Sequence, residues 1–185
     1  MPRYRFPKPY ADAVARLRVP SGFLLVAAFA YFSRPTAASL AVGVPVSLLG
    51  LALRGWAAGH LAKNQSLARG GPYAWIRNPL YVGTLLVAGG LAVASRSPGL
   101  AVLFAAVFLL VYLPVIELEE QHLRQIFPEY AGYAEEVPAL WPRAPRKKSG
   151  RNPHPFQASL YRKNQEYQAA IGFLAGLLLL IWKTL

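Results

Sequence analysis

The stretch GGPYAWIRNPLYVG, residues 70–83, decides how the rest of the chain is read. It joins a Gly-Gly-Pro turn, the aromatic rings of Tyr73, Trp75 and Tyr81, the fixed cation of Arg77 and a second proline, and it lies between two long apolar runs. Gly70 and Gly71 permit tight backbone geometry, whereas Pro72 and Pro79 fix φ and hold the residues before them extended. Such a loop leaves backbone N–H and C=O groups outside any helix ladder, where they can bind a polar ligand. Without a ligand, the same residues would serve as a rigid turn with an aromatic belt at a membrane surface.

The apolar runs on either side set the class. The chain has 185 residues, 55% of them hydrophobic, and a mean hydropathy of +0.29, too apolar for an ordinary soluble domain of this size. The apolar residues come in blocks, and a bilayer-crossing helix needs about 20 of them. The expected architecture is all-α: a polytopic helical membrane protein, one domain over residues 1–185, with a cytoplasmic ligand pocket. The net charge of +12 sits in the gaps between apolar blocks. No recognition helix or RNA-binding signature accompanies it, so membrane lipids with anionic headgroups are the expected partner and nucleic acid is not. The lack of cysteine removes disulfides, thiolate nucleophiles and thiolate metal sites.

Working outward, five spans are expected. Residues 1–18 form a basic lead whose Arg16 and Arg18 can snorkel toward headgroups. Residues 19–32 make a first span, 33–36 a tight connection, and 37–53 a second span that runs on through Arg54 to His60, where Gly55 and Gly59 form a GxxxG pair suited to close helix approach. Residues 80–94 are a third span, and 99–116 a fourth whose last turn Pro114 is expected to kink. Residues 117–168 are polar and hold seven of the eight acidic side chains. Within them, 117–133 has helix-forming composition, while 138–155 is proline-rich, contains Arg146-Lys147-Lys148 and reads as a surface linker. A last apolar helix over 169–182 begins within 161–167, ends at Lys183 and carries Gly172 and Gly176 as a second close-packing pair.

Orientation follows from the basic residues. Five lie in the amino-terminal segment, four between residues 54 and 77 and eight between 117 and 168, against only Arg34, Arg96 and Lys183 elsewhere. By the positive-inside rule the amino terminus and both chemically rich loops face the cytoplasm, and the carboxyl terminus lies outside.

The second rich loop opens with Glu117, Glu119 and Glu120 at the mouth of the fourth span, where ionised carboxylates are costly unless paired. Either they are solvated or Arg-paired at a helix end, or one of them binds a cationic group or hydroxyl of a ligand held against the first loop. His60, His122 and His154 are far apart in sequence and lack HExxH-type spacing, so no metal site is expected. Lys63-Asn64-Gln65 recurs as Lys163-Asn164-Gln165, and Asn164 with Glu166 is placed to line the same cavity.

The loop GPYAWIRNPLYVG, followed about 35 residues later by LEEQHLRQIFPEYAGYAEEVPALWPR, resembles the isoprenylcysteine carboxyl methyltransferase and phospholipid methyltransferase family. Its members carry a GPY…RHPxYxG loop, a Glu-Glu pair, a phenylalanine usually followed by glycine, two spaced tyrosines and a closing proline-rich turn. The likeness covers residues 60–143, leaving the basic segment 1–18 and the carboxyl-terminal helix 161–183 outside it. It implies a bacterial inner-membrane methyltransferase with S-adenosylmethionine as donor and a lipophilic small molecule or lipid as acceptor. Residue by residue, it places Tyr73, Arg77, Asn78, Pro79, Leu80, Tyr81 and Gly83 around the cofactor, with Gln65 and Leu67 in a further wall. Glu119 and Glu120 match the pair that closes the pocket, and together with Arg77 they are the candidate catalytic residues.

Two departures matter. Pro128 stands for the usual glycine, and Asn78 for the usual histidine; asparagine still donates and accepts hydrogen bonds but does not titrate near neutral pH. In the eukaryotic prenylcysteine enzymes an arginine one turn before the glutamate pair is associated with the substrate carboxylate, whereas this chain has Pro114, Val115 and Ile116 there. An unpaired anion beside other carboxylates is expensive to desolvate, so an amine or neutral lipid is the expected acceptor. Competing readings are a membrane reductase of the sterol reductase type, with a nicotinamide cofactor, and a non-enzymatic scaffold or small transporter in which Arg54, Glu117 and the glycine pairs serve packing or conduction.

Overall fold

The computed structural model describes residues 6–144 and 155–185; Arg146-Lys147-Lys148, Ser149 and His154 lie outside the described residues. Among those described, every regular element is helical. They are α1 (Lys8–Phe32), α2 (Ala37–Ala58), a 3-10 turn (Gly71–Ala74), α3 (Pro79–Ser95), α4 (Pro98–Val107), α5 (Leu113–Ile126), α6 (Tyr130–Glu136), α7 (Ala158–Lys163) and α8 (Tyr167–Thr184). A π-helical turn, Phe108–Tyr112, joins α4 to α5 in one run, Pro98–Ile126. That run, α2 and α8 are long and apolar enough to cross a membrane. A fourth span is added if α1, bent by 52° between Lys8–Leu17 and Val19–Phe32, counts as one. The expected third span corresponds to α3, which is apolar but only 17 residues long.

The prolines account for the irregular helices. Pro20 lies inside α1 at its bend, and having no N–H it leaves the carbonyl of Arg16 without its ladder bond. Pro114 acts in the same way on Leu110. The irregularity therefore lies in the turn before the proline, as the π segment, and the helix continues to Ile126 where the sequence predicts a kinked end near 116. Tyr10 of α1 donates its hydroxyl to Leu110 O at 2.7 Å, supplying a partner for the carbonyl that Pro114 cannot serve.

Two compact units divide the chain. The first comprises Met1–Val46, Ala88–His122 and Ala175–Leu185. Its core is Phe29, Ala94, Leu100 and Leu180, with Leu40, Leu91 and Phe104 against it. Gly43 lies against the Gly90 carbonyl so closely that no side chain fits, bringing α2 and α3 backbone to backbone. Lys183 donates to Ala30 O at 2.6 Å and Ser33 O at 3.0 Å, capping the carboxyl end of α1.

The second unit comprises Ser47–Val87 and Leu123–Leu174 and contains the 70–83 loop. Here α2 and α3 meet at Gly50 and Gly83: a Cβ on Gly50 would lie 2.6 Å from Gly83 O, and one on Gly83 2.5 Å from Arg54 Cγ. The close approach expected at Gly55 and Gly59 is present, but the neighbours are the Tyr161 ring on α7 and the Phe156 ring rather than a spanning helix. Gly172 has nothing within 4 Å, so the expected second close-packing pair is not one; α8 buries Phe173 and Leu180 instead.

The expected carboxyl-terminal helix is α8, which begins at Tyr167, and the short helix α7 precedes it as a separate element. Asn164 turns its amide away to donate to Ala58 O at 3.0 Å and Leu61 O at 2.9 Å, capping α2, and Gln165 takes a left-handed conformation, φ 55°. In the other Lys-Asn-Gln copy the left-handed residue is Asn64, φ 59°, so the two tripeptides are not structural repeats.

Candidate functional site

The 70–83 loop is built around a left-handed glycine. Gly71 has φ +55°, and the His60 ring stands 2.8 Å from where its Cβ would be, so a side chain is excluded twice over. The turn that follows buries Pro72 and Tyr73 and delivers the chain to a second segment, residues 129–143. Arg77 N–H donates to Pro138 O at 2.9 Å, Asn78 N–H to Ala139 O at 3.2 Å and Arg143 N–H to Trp75 O at 3.2 Å. Side chains reinforce the seam. Tyr133 donates its hydroxyl to Tyr73 O at 2.8 Å, Asn78 Nδ2 reaches Ala139 O at 3.3 Å, and Arg69 Nη2 reaches Glu129 O at 3.1 Å. Arg77 Nη1 donates to Ala134 O at 2.7 Å, satisfying one of the last carbonyls of α6. Beneath lies a cluster of Tyr130, Tyr133 and Val137 with Leu67, Leu123 and Phe127 around it. The loop and the distal part of the second sequence motif therefore meet in one unit.

The start of α3, which continues the loop, is held by a pair that the sequence reading did not make. Arg54 on α2 donates through Nη1 to Leu80 O at 3.3 Å and to the Thr84 hydroxyl, and through Nη2 to the Glu166 carboxylate, 2.9 Å to Oε2. The side chains are 23% and 7% exposed. The available signal was chemical: a lone arginine and a lone glutamate at the borders of apolar helices need partners, and each is the other's.

The sequence-predicted residues fall as follows. Tyr73, Pro79 and Gly83 are buried; Arg77, Asn78, Leu80 and Tyr81 are half-buried. Leu67 packs against the tyrosine cluster, Gln65 is exposed, and Trp75 is 42% exposed. All of these belong to the second unit. Glu119, exposed, and Glu120, half-buried, sit on α5 in the first unit. Pro114, Val115 and Ile116 on the same helix are buried. Among the described residues, no group of three or more His, Asp or Glu is arranged to hold a metal ion.

Comparison with known proteins adds the following. The family profile described as phospholipid methyltransferase matches residues 38–130, half of the chain. The chain is 38% identical over 104 residues to the cobalt-zinc-cadmium resistance protein CzcN of Cupriavidus metallidurans, which covers 55% of the chain and 47% of that protein. It is 32% identical over 139 residues to the nickel-cobalt-cadmium resistance protein NccN of Alcaligenes xylosoxydans xylosoxydans, covering 74% of the chain and 59% of that protein. The chain thus spans about half the length of the curated relatives it matches. No solved structure matches it.

Proposed function

Because this chain belongs to the phospholipid methyltransferase family, we propose that it is an integral membrane enzyme that transfers a methyl group from S-adenosylmethionine to a small lipophilic acceptor. The observation that carries the reading is the seam of backbone and side-chain bonds that fixes the 70–83 loop against residues 129–143. A preorganised polar loop at the end of an apolar helix is what a bound cofactor requires.

The side chains present suit that cofactor. Trp75 and Tyr81 offer aromatic faces to a sulfonium cation, about 0.5–2 kcal/mol each. Pro79 starts α3, so the Leu80 N–H lies at a helix amino end, where a carboxylate is favoured. Exposed Gln65 can donate to and accept from polar edges. When bound, the cofactor supplies an electrophilic methyl carbon. The protein has no covalent intermediate to form, and its residues align the two reactants and exclude water. We assign Glu119 and Glu120 to the cofactor's hydroxyl and cationic groups, and Arg77 to fixing the loop beside the reacting atoms. Asn78, which does not titrate near neutral pH, orients through hydrogen bonds and transfers no proton.

The acceptor in this reading is an amine or neutral lipid group. Arg77 is engaged with Ala134 O and Arg124 lies 5.3 Å from the Tyr130 ring centroid, so two of the cations within the motifs already have structural partners. In the same proposal the protein has five spans in a bacterial inner membrane, α1, α2, α3, the α4–α5 run and α8, with the amino terminus and the site cytoplasmic. The metal-resistance names of CzcN and NccN enter as physiological context: methylation of a membrane component in metal-stressed cells. The test is incubation of pure protein with labelled S-adenosylmethionine and either an aminophospholipid or a farnesylcysteine analogue. Amine methylation should exceed formation of base-labile methyl ester; the opposite ranking overturns the acceptor assignment.

A further inference from the structure

A groove in the second unit offers a chemistry that methyl transfer does not use. It is an open cavity of about 560 Å³ lined by Ala52, Gly55, Trp56, Phe156, Ala158, Tyr161 and Arg162. That volume is within the range of small-molecule sites. Its floor is the small-residue face of α2 in the last turns before Ala58, and its walls are three aromatic rings. Phe156 is seated because Gly59 has no side chain to displace its ring, and Gln157 N–H fastens the segment to Gly59 O at 2.9 Å. None of the candidate cofactor residues lines it.

The charge on this groove has one sign. Arg162 is exposed at its edge, exposed Lys163 follows it, and no acidic residue is part of the lining. Helix α2, whose end forms the floor, and helix α8, which follows α7 directly, are both apolar enough to cross a membrane. The groove therefore marks a place where apolar span gives way to polar chain, and Trp56, 47% exposed, occupies it as aromatics do at a bilayer interface. An acidic peptide would need several polar partners along the groove, and apart from Arg162 and the Tyr161 hydroxyl the lining side chains are apolar, with Trp56 contributing mainly its indole face. We infer that this groove holds one anionic phospholipid, its acyl chain along Ala52, Gly55 and the Trp56 ring and its phosphate at Arg162, with Lys163 adding charge. No reaction occurs there; the site fixes the full chain to an acidic membrane surface and is separate from the methyl acceptor.

Fluorescence of Trp56, in a Trp75→Phe, Trp141→Phe, Trp182→Phe background of the detergent-solubilised full chain, tests this directly. Dibrominated phosphatidylglycerol should quench saturably at concentrations about fivefold below those of phosphatidylcholine with the same chains, the preference that one basic residue near an anionic phosphate confers. Arg162→Gln should remove that preference. Ala52→Phe, at an exposed position of α2, should abolish saturable quenching while leaving helical circular dichroism unchanged. Equal, unsaturable quenching by both lipids, or saturable quenching that neither variant alters, overturns the inference. So does a dimer that Ala52→Phe dissociates, since the groove would then belong to a second copy. Cofactor binding is not read in this titration, so its outcome is independent of the methyltransferase reading.

Discussion

Removing the Glu166 carboxylate should be among the most destabilising single changes in the protein. Glu166→Ala leaves the Arg54 guanidinium, 23% exposed, with only Leu80 O and the Thr84 hydroxyl as partners among the described residues. Its Nε already has none among the described residues. Breaking a buried pair from one side costs about 3–5 kcal/mol, because the remaining charge is left desolvated. The two remaining acceptors and the partial exposure of Arg54 place the expected loss at the low end, about 3 kcal/mol, roughly a hundredfold in the folded-to-unfolded ratio. Replacing both partners with apolar residues is a different perturbation. Arg54→Met with Glu166→Leu removes the charge and the desolvation cost together, and should fall within about 1 kcal/mol of the parent. The parent, Arg54→Met, Glu166→Leu and the paired variant make a double-mutant cycle, read with Glu166→Ala beside it by denaturant titration in mild detergent with helical circular dichroism as the signal. A Glu166→Ala loss below about 0.5 kcal/mol, or a double variant as unstable as the sum of the singles, would show that Arg54 and Glu166 are not coupled.

Other outcomes can be checked independently. Gly71→Ala forces a left-handed alanine against the His60 ring and should cost about 1–2 kcal/mol from backbone strain alone; adding His60→Ala should recover the steric part but not the strain, and a Gly71→Ala protein as stable as the parent would contradict this. Tyr133→Phe removes the hydroxyl that donates to Tyr73 O in a buried turn, and should cost about 0.5–1.5 kcal/mol with faster hydrogen exchange over residues 72–78; unchanged exchange would show that the seam does not depend on this bond. Single cysteines can be placed without background, since the chain has none. An impermeant thiol reagent applied to intact cells should label Arg96→Cys and Lys183→Cys and spare Ser149→Cys, and the reverse pattern would invert the proposed topology.

What could be read from the sequence was whatever depends on composition and near neighbours. Apolar blocks gave the helices, and the glycines and prolines of residues 70–83 gave a loop that the structure shows to be tightly constructed. The likeness grouped the loop with Glu119 and Glu120 around a cofactor, but the seam that the loop makes with residues 129–143, Tyr133 included, was not anticipated, because nothing local marks those backbone groups as its partners. The rest depended on partners remote in the chain. Arg54 and Glu166 are 112 positions apart, and nothing local pairs them. Pro114 was recognised as a helix irregularity, but its effect was placed at its own turn when a missing N–H acts on the carbonyl four residues earlier. Gly172 and Gly176 had the spacing of a close-packing pair, yet spacing does not say which face of α8 is covered. The short helix α7 and the docking of the Asn164 side-chain amide on the carbonyls at the end of α2 likewise depended on a partner 106 positions away.

Titration of the purified full chain with S-adenosylhomocysteine by isothermal calorimetry, with NADPH as comparison, asks whether the proposed site binds S-adenosylmethionine. Saturable binding of S-adenosylhomocysteine and none of NADPH is expected, and Tyr81→Ala and Glu120→Ala should each weaken that binding while helical circular dichroism is retained. Failure of the parent protein to bind S-adenosylhomocysteine, saturable binding of NADPH in its place, or unchanged affinity in both variants would rule out the proposed cofactor site.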